Sequence, residues 1–282
     1  MTNDYGNLEL HKVLLSAMKD IDKICRENGL RYYLYAGTLL GAMNHAGFIP
    51  WDDDVDIVMF PSDFDTLCRI IERDYSERYS MMTFDNTASW YSMMSKLHVL
   101  HTAVITADGN SHPIFIDICR LHALPDAKLL RTIQRKQIEW LNLSLGVLSG
   151  AIIPTSWRTK CTIALYAKLG KQTLGRQLNR VLTRYDNKRT SQVGIMCNTL
   201  TRNPYTGVSG YDTDVTDREW HENPQYVSFE DTQFMTYSNI HDYLNWQYGP
   251  KWSEPYPEEK RITKHDVKSY EISPEVRERV GI

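Results

Sequence analysis

Two acidic patches in this sequence interrupt runs of apolar residues. Asp52-Asp53-Asp54-Val55-Asp56 leads directly into Ile57-Val58-Met59-Phe60, and Asp117 lies within Pro113-Ile114-Phe115-Ile116-Asp117-Ile118-Cys119. Both runs have the length and the β-branched or aromatic content of buried strands. Side chains alternate faces along a strand, so Asp54 and Asp56 share one side, with Asp52 beside them if the strand extends that far back. Acids on a core strand need a partner, because burying charge is costly and crowded carboxylates repel one another. A divalent cation is such a partner, and oxygen ligands with few other donors favour Mg²⁺ or Mn²⁺. A lone D-x-D is usually a solvated loop. Two apolar strands that each carry acids are better explained together, by Asp54, Asp56 and Asp117 converging around metal. In that arrangement metal bridges phosphate oxygens and steadies the attacking and leaving groups of an in-line displacement.

Just upstream, Gly37-Thr38-Leu39-Leu40-Gly41 reads as a glycine-flanked turn whose backbone N–H groups could cradle a phosphate. Lys96, between Met94 and Leu97, could reach a donor phosphate, although lysine stems often just run to solvent. Trp51, Trp90 and Tyr91 could wall a quaternary ammonium, but packing is the commoner role of an aromatic ring. Lys260, Arg261 and His265 form a basic tail able to neutralise a diphosphate, or simply a solvated turn. No Ser/His/Asp order or serine elbow is visible, which disfavours nucleophilic hydrolysis.

The elements that must position these groups follow from periodicity. Val13, Leu14, Ala17, Met18, Ile21, Ile24 and Cys25 recur at helical spacing and Gly29 closes the pattern, which predicts a helix from Leu10. A short aromatic strand over 30–36 follows, then the acidic strand over 51–60 and a helix from Pro61 to about Arg73. Strands are expected over 91–99, 102–106 and 113–119. Two or three helices, broken near 146–154, are expected between Lys128 and Asn187. Beyond Ser191 the pattern is irregular, with short strands near 193–196 and 226–229. A helix over 240–248 and a last one opened by Ser273-Pro274 complete the chain.

At 282 residues the chain suits one catalytic core with an insertion, and its 42% hydrophobic content is enough to bury a core. The net charge of −3 conceals an asymmetry. Residues 128–190 hold 13 of the 32 Lys/Arg and only two acids, Glu139 and Asp186, leaving 33 of the 35 Asp/Glu elsewhere. This basic stretch, interleaved with apolar segments, is either a surface for phosphorylated lipid or membrane or a solvated helical face. Five cysteines without a C-x-x-C pair read as reduced thiols rather than a zinc or redox site. The first residues lack a secretory pattern, and the longest apolar run, 145–154, falls short of the roughly 20 residues that a membrane span needs. A cytoplasmic protein working at the inner face of the cell membrane is therefore expected.

Together, Tyr35-Ala36-Gly37-Thr38-Leu39-Leu40-Gly41, Gly47-Phe48-Ile49-Pro50-Trp51-Asp52-Asp53-Asp54-Val55-Asp56 and Phe115-Ile116-Asp117-Ile118 resemble the LicD family. Asp242-Tyr243-Leu244, Tyr248-Gly249 and Pro257-Glu258-Glu259-Lys260-Arg261 through His265 resemble its C-terminal pattern, and the basic middle matches poorly. The resemblance implies an α+β, nucleotidyltransferase-like mixed sheet with flanking helices. A core over 1–127, a basic helical insert over 128–190 and a site-completing part over 191–282 would make up the chain. It also implies transfer of phosphocholine, or of polyol phosphate as in the related fukutin group, from a CDP-linked donor to a glycan or lipid-linked glycan. The product would belong to lipopolysaccharide, capsule or teichoic acid, and nucleic acid is not an expected partner. By that analogy Gly37, Thr38, Lys96, Arg261 and His265 contact the donor, Asp54 and Asp56 bind Mg²⁺ or Mn²⁺, and Asp117 is the third carboxylate and possible base. After Asp117 the family often continues Ile-Phe-Pro-Leu-Asp where this chain has Ile118-Cys119-Arg120-Leu121-His122, so substrate contacts there would differ. Two rivals stay open: a metal-dependent glycosyltransferase using its D-x-D on a nucleotide sugar, and a catalytically inactive binding subunit of the same fold.

Overall fold

In the computed structural model, described for residues 5–84, 86–87, 93–150, 152–153, 156, 170–197, 199–261 and 267–282, one mixed sheet carries both acidic strands. Its strands are β1 (Tyr32–Leu34), β2 (Asp56–Met59), β3 (Tyr79–Met82), β4 (Ser95–Thr106), β5 (Ser111–Arg120) and, from the far end of the chain, β11 (Val267–Ile272). The order is β1-β2-β5-β4-β11, with β3 also paired to β4. Only β2 and β5 run parallel; the other pairs are antiparallel. The strands expected over 91–99 and 102–106 are one strand, β4, with a register shift where His101 takes φ +61°. The early half of β4 pairs with β3 and the later half with β11.

Helix α1 (Leu8–Asn28) ends at Gly29 in the left-handed conformation and buries the apolar stripe its spacing predicts. Helix α3 (Pro61–Asp74) begins with proline at its first turn. The supposed glycine turn at 37–41 is instead part of helix α2 (Ala36–His45). Its glycines permit close packing, not a turn. A Cβ on Gly41 would lie 2.6 Å from the Gly47 carbonyl oxygen, and one on Gly37 would lie 2.7 Å from Asp52 Oδ2. The acidic strand is also shorter than 51–60, because Asp52–Val55 precede the regular ladder of β2, although the Val55 carbonyl still accepts from Asp117 N.

Beyond the sheet, β6 (His122–Leu124), β7 (Gln192–Gly194) and β8 (Val215–Asp217) form a small antiparallel sheet. Helices α4 (Lys128–Leu148) and α5 (Lys171–Leu182) pack through Ile138, Leu141 and Leu145 against Leu174, Leu178 and Leu182. Gly175 lets the Phe84 ring lie directly on α5. A hairpin of β9 (Gln225–Phe229) and β10 (Thr232–Thr236) leans on β1, where the Tyr32 hydroxyl accepts from Met235 N. A one-turn helix α6 (Gly210–Thr213) is followed by α7 (Ile240–Tyr248) and α8 (Pro274–Val280), the last capped by Ser273 as its sequence suggests. Arg277 of α8 binds Glu9 of α1 through two bonds of 2.8 Å. The main core runs from α1 through the sheet to residues 193–195 and on to 229–276.

Candidate active site

The loop that carries the acids is held from three sides. The Asp52 carbonyl accepts from Asn7 Nδ2 at 3.1 Å and lies 2.7 Å from His11 Nε2, both at the start of α1. Glu230, in the β9–β10 turn, accepts from Phe48 N, while its own N–H donates to the Ala46 carbonyl. A Cβ on Gly47 would overlap that Glu230 carboxylate. From α2, Thr38 Oγ1 accepts from Asp56 N at 2.8 Å. These tethers belong to backbone groups of the loop.

The acids do not follow a strand throughout, since 52–55 precede β2. Asp52, Asp54 and Asp56 all line one cavity of about 1240 Å³, and Asp53 does not. Asp52 is buried, with its carboxylate against Gly37 in the first turn of α2, where the helix dipole favours negative charge. Asp52, Asp53 and Asp54 can each offer an oxygen within 4.8 Å of the others, a spacing compatible with a cation. Asp56 is the register neighbour of Asp117 across the β2–β5 pair, and Lys96 is the neighbour of Asp117 across β4–β5. Three adjacent strands therefore carry Asp56, Asp117 and Lys96 in a single row.

Lys96 binds Asp117 Oδ1 at 2.7 Å and lies 3.4 Å from the centre of the Phe115 ring. Neither Lys96 nor Asp117 lines the cavity, so the lysine expected to reach donor phosphate is engaged with the buried third acid. Thr38 likewise is buried and faces the Asp56 backbone. Gly37 and Arg261 do reach the cavity wall. The Arg261 guanidinium lies 5.3 Å from the Trp51 ring centre, and its Nε donates to the Tyr256 carbonyl. His265, Trp90 and Tyr91 lie outside the described residues, as does the Lys260 side chain.

The opposite wall falls in the part over 191–282 that the resemblance expects to complete the site, but of its residues only Tyr248 stands in a motif of that resemblance. It comes from the irregular stretch 199–214, where Gly210 N donates to the Thr201 carbonyl and Asn203 N to the Val208 carbonyl. Thr201, Tyr205, Gly210 and Asp214 of this stretch line the cavity, as does Tyr248 at the end of α7. Asn203 secures the wall by donating to the Gln247 carbonyl and accepting from Tyr205 N and Thr206 N. Burial, with the nearby Tyr205, Asp52, Asp56 and Asp54, raises the Tyr248 phenol well above its ordinary pKa. Burial likewise pushes the Asp214 carboxyl up to about 7, against the lowering effect of a hydrogen bond from the Tyr35 hydroxyl. Burial and then Arg261 lower the pKa of His45, another lining residue.

Residues 29–123, which contain α2, the acidic loop and β5, match the family model described as LicD/FKTN/FKRP, nucleotidyltransferase domain. The chain is 25% identical over 275 residues to the lipopolysaccharide cholinephosphotransferase LicD of Haemophilus influenzae, covering 93% of this chain and 97% of that protein. The chain is thus similar to the LicD family through its segment 29–123 and, at 25% identity, along most of its length. An uncharacterized protein of Rickettsia prowazekii is 44% identical over 50 residues, covering 18% of this chain and 19% of its own. Of the three acids that the resemblance singles out, Asp54 and Asp56 stand on the cavity wall and Asp117 is buried beside Asp56. Cys25, Cys68, Cys119 and Cys197 are free thiols, and no helix among the described residues is long and apolar enough to cross a membrane.

Proposed function

We propose that this protein is a nucleotidyltransferase-fold transferase that moves phosphocholine from CDP-choline to a hydroxyl of a lipopolysaccharide-type glycan precursor. The observation that carries the reading is the row of Asp52, Asp54 and Asp56 along one cavity wall, with Asp117 beside Asp56, inside the segment that matches the family. The full-length likeness to a lipopolysaccharide cholinephosphotransferase supports the choice of head group and acceptor.

The donor set suits a hard divalent ion. Asp54 and Asp56 would hold Mg²⁺ or Mn²⁺, with Asp52 close enough to share it and Asp117 behind as the third carboxylate. Such an ion, when bound, neutralises the donor diphosphate and acts as a Lewis acid on the phosphorus under attack. The remaining work falls to the chain. Gly37, at the first turn of α2, offers backbone approach to a phosphate at a helix N-terminus. Arg261 supplies positive charge from the opposite loop. Lys96 holds Asp117 in place on β5. The acceptor oxygen forms the new P–O bond as the bond to CMP breaks, and the hydroxyl proton passes to a carboxylate on the cavity wall, Asp54 or Asp56, with Asp117 behind them in the row rather than in reach of the acceptor.

Incubating the purified protein with Mg²⁺, radiolabelled CDP-choline and a lipooligosaccharide acceptor tests this directly. Choline label on the acceptor with release of CMP is expected, and loss of both in Asp56→Asn with unchanged melting temperature. Sugar transfer from UDP-glucose or GDP-mannose in parallel reactions, with none from CDP-choline, would instead establish the glycosyltransferase.

A further inference from the structure

The cavity has two aromatic walls. On the acidic-loop side, Trp51 carries this chain's own Arg261 guanidinium and has the Tyr256 ring 6.1 Å away, so its faces already have company. On the other side, Tyr205 and Tyr248 meet edge to face at 5.1 Å, and Tyr205 is 52% exposed. Tyr248 is also the ring that the Asp52, Asp56 and Asp54 charges bear on. A group seated at this tyrosine pair therefore sits next to the carboxylates where the transferred phosphate belongs.

The same flank contains a carboxylate without full compensation. Asp214 is only 5% exposed and lines the cavity. The Tyr35 hydroxyl donates to its Oδ1, and its Oδ2 is buried with no hydrogen-bond partner among the described residues. Its backbone is fixed as well, because its carbonyl accepts from Ile195 N and Trp246 Nε1 donates to the preceding Thr213 carbonyl. A buried carboxylate oxygen left unpaired is expensive and calls for a functional reason. A quaternary ammonium has no N–H to offer, so it is recognised by ring faces and by nearby negative charge rather than by hydrogen bonds. Burial holds the Asp214 carboxyl at about 7, and a cation seated in the cavity would favour its charged form.

We infer that the flank formed by Tyr205, Tyr248 and Asp214 is a cation subsite that selects a donor with a positively charged head group over an uncharged polyol. This rests on the transferase reading above and adds the residues that choose the donor.

The test is isothermal titration with Mg²⁺ of CDP-choline, CDP-glycerol and CMP into the wild-type chain, Tyr205→Ala and Asp214→Asn. The wild type is expected to bind CDP-choline at least tenfold more tightly than CDP-glycerol. Each variant should bring that ratio to within about threefold while CMP, which lacks a head group, binds all three proteins equally. Equal CMP binding also certifies that the variants fold. A wild-type ratio near one, or a tenfold preference that survives in both variants, overturns the subsite and leaves the transferase reading standing. Failure of the wild type to bind any cytidine nucleotide overturns both.

Discussion

The acidic face of the sheet and the basic helical pair α4–α5 handle charge in opposite ways. On the sheet, Asp52 and Asp117 are buried, and Asp56, Asp117 and Lys96 stand in one row because three strands are in register. On the helices the few acids are shared among many bases. Arg135 and Lys136 both bind Glu139, and Arg135 also binds Asp212. Leu129, Leu130 and Ile133 are exposed on the first turns of α4. Charge held by a strand ladder is positioned for chemistry, whereas charge on a solvated helix sets a surface property and is screened by salt. On the transferase reading proposed above, catalysis belongs to the sheet, and the exposed apolar residues of the basic helix α4 are proposed to meet anionic lipid.

Several changes would break or sharpen this contrast. Asp56→Asn is expected to lower transfer by roughly a thousandfold, since one positioned electrostatic group at a phosphoryl site carries effects of that order. Steady-state assays beside circular dichroism check it, and activity near wild type would remove the metal assignment. Lys96→Met strips the buried Asp117 of its cation and should cost about 3–5 kcal/mol in urea unfolding, as for other broken buried pairs. By contrast, Arg189→Ala opens only the exposed pair with Glu222 and should change stability by less than about 1 kcal/mol. Gly41→Ala forces a methyl group against the Gly47 carbonyl and should destabilise by about 1–3 kcal/mol.

Asp214 gives a pH signature on the sheet side. Its pKa is raised in the folded protein to about 7, mainly by burial, so the native state holds its proton where the unfolded chain has released it. Its contribution therefore favours folding at low pH and is lost as pH rises from about 4 through 7. The charged or titratable groups around it, Tyr35, Tyr237 and Tyr243, are phenols whose pKa values burial raises, so they stay neutral across that window. Melting curves of the wild type and Asp214→Asn between pH 5 and 8 should converge at one end only, with the wild type losing ground relative to the variant as pH rises. Parallel curves would mean that Asp214 does not titrate there.

The smallest effect is expected on the helical pair. Leu129→Asp with Ile133→Asp should leave the melting temperature and soluble-substrate turnover unchanged within error, while co-sedimentation with phosphatidylglycerol vesicles at low salt falls several-fold. Equal sedimentation of both proteins would return α4 to an ordinary solvated face.

Local rules made several elements legible before any coordinates. The stripe from Leu10 to Cys25 with its closing glycine, the proline-led helix at Pro61, the apolar strand around Asp117 and the Ser273-Pro274 cap all appear where their residues predict. That Asp54 and Asp56 would stand on one wall was legible from the alternation read for the segment, whereas the gathering of Asp52 and Asp53 with Asp54 ahead of β2 was not. The 37–41 segment was misread because glycine signals a turn locally but here answers a distant demand, the nearness of Asp52 and Gly47 to α2.

The amino-acid sequence by itself therefore determined the helices, the apolar strands and the shared wall of Asp54 and Asp56, because those depend on neighbours a few residues apart. Tertiary structure alone decided that Lys96 pairs with Asp117 and that Thr38 supports the Asp56 backbone. It alone joined residues 199–214 and Tyr248 to the cavity more than 140 residues from the acidic loop. Those contacts lie between segments with no periodic relation to one another, and only the registration of strands and the burial of a common core brings them together.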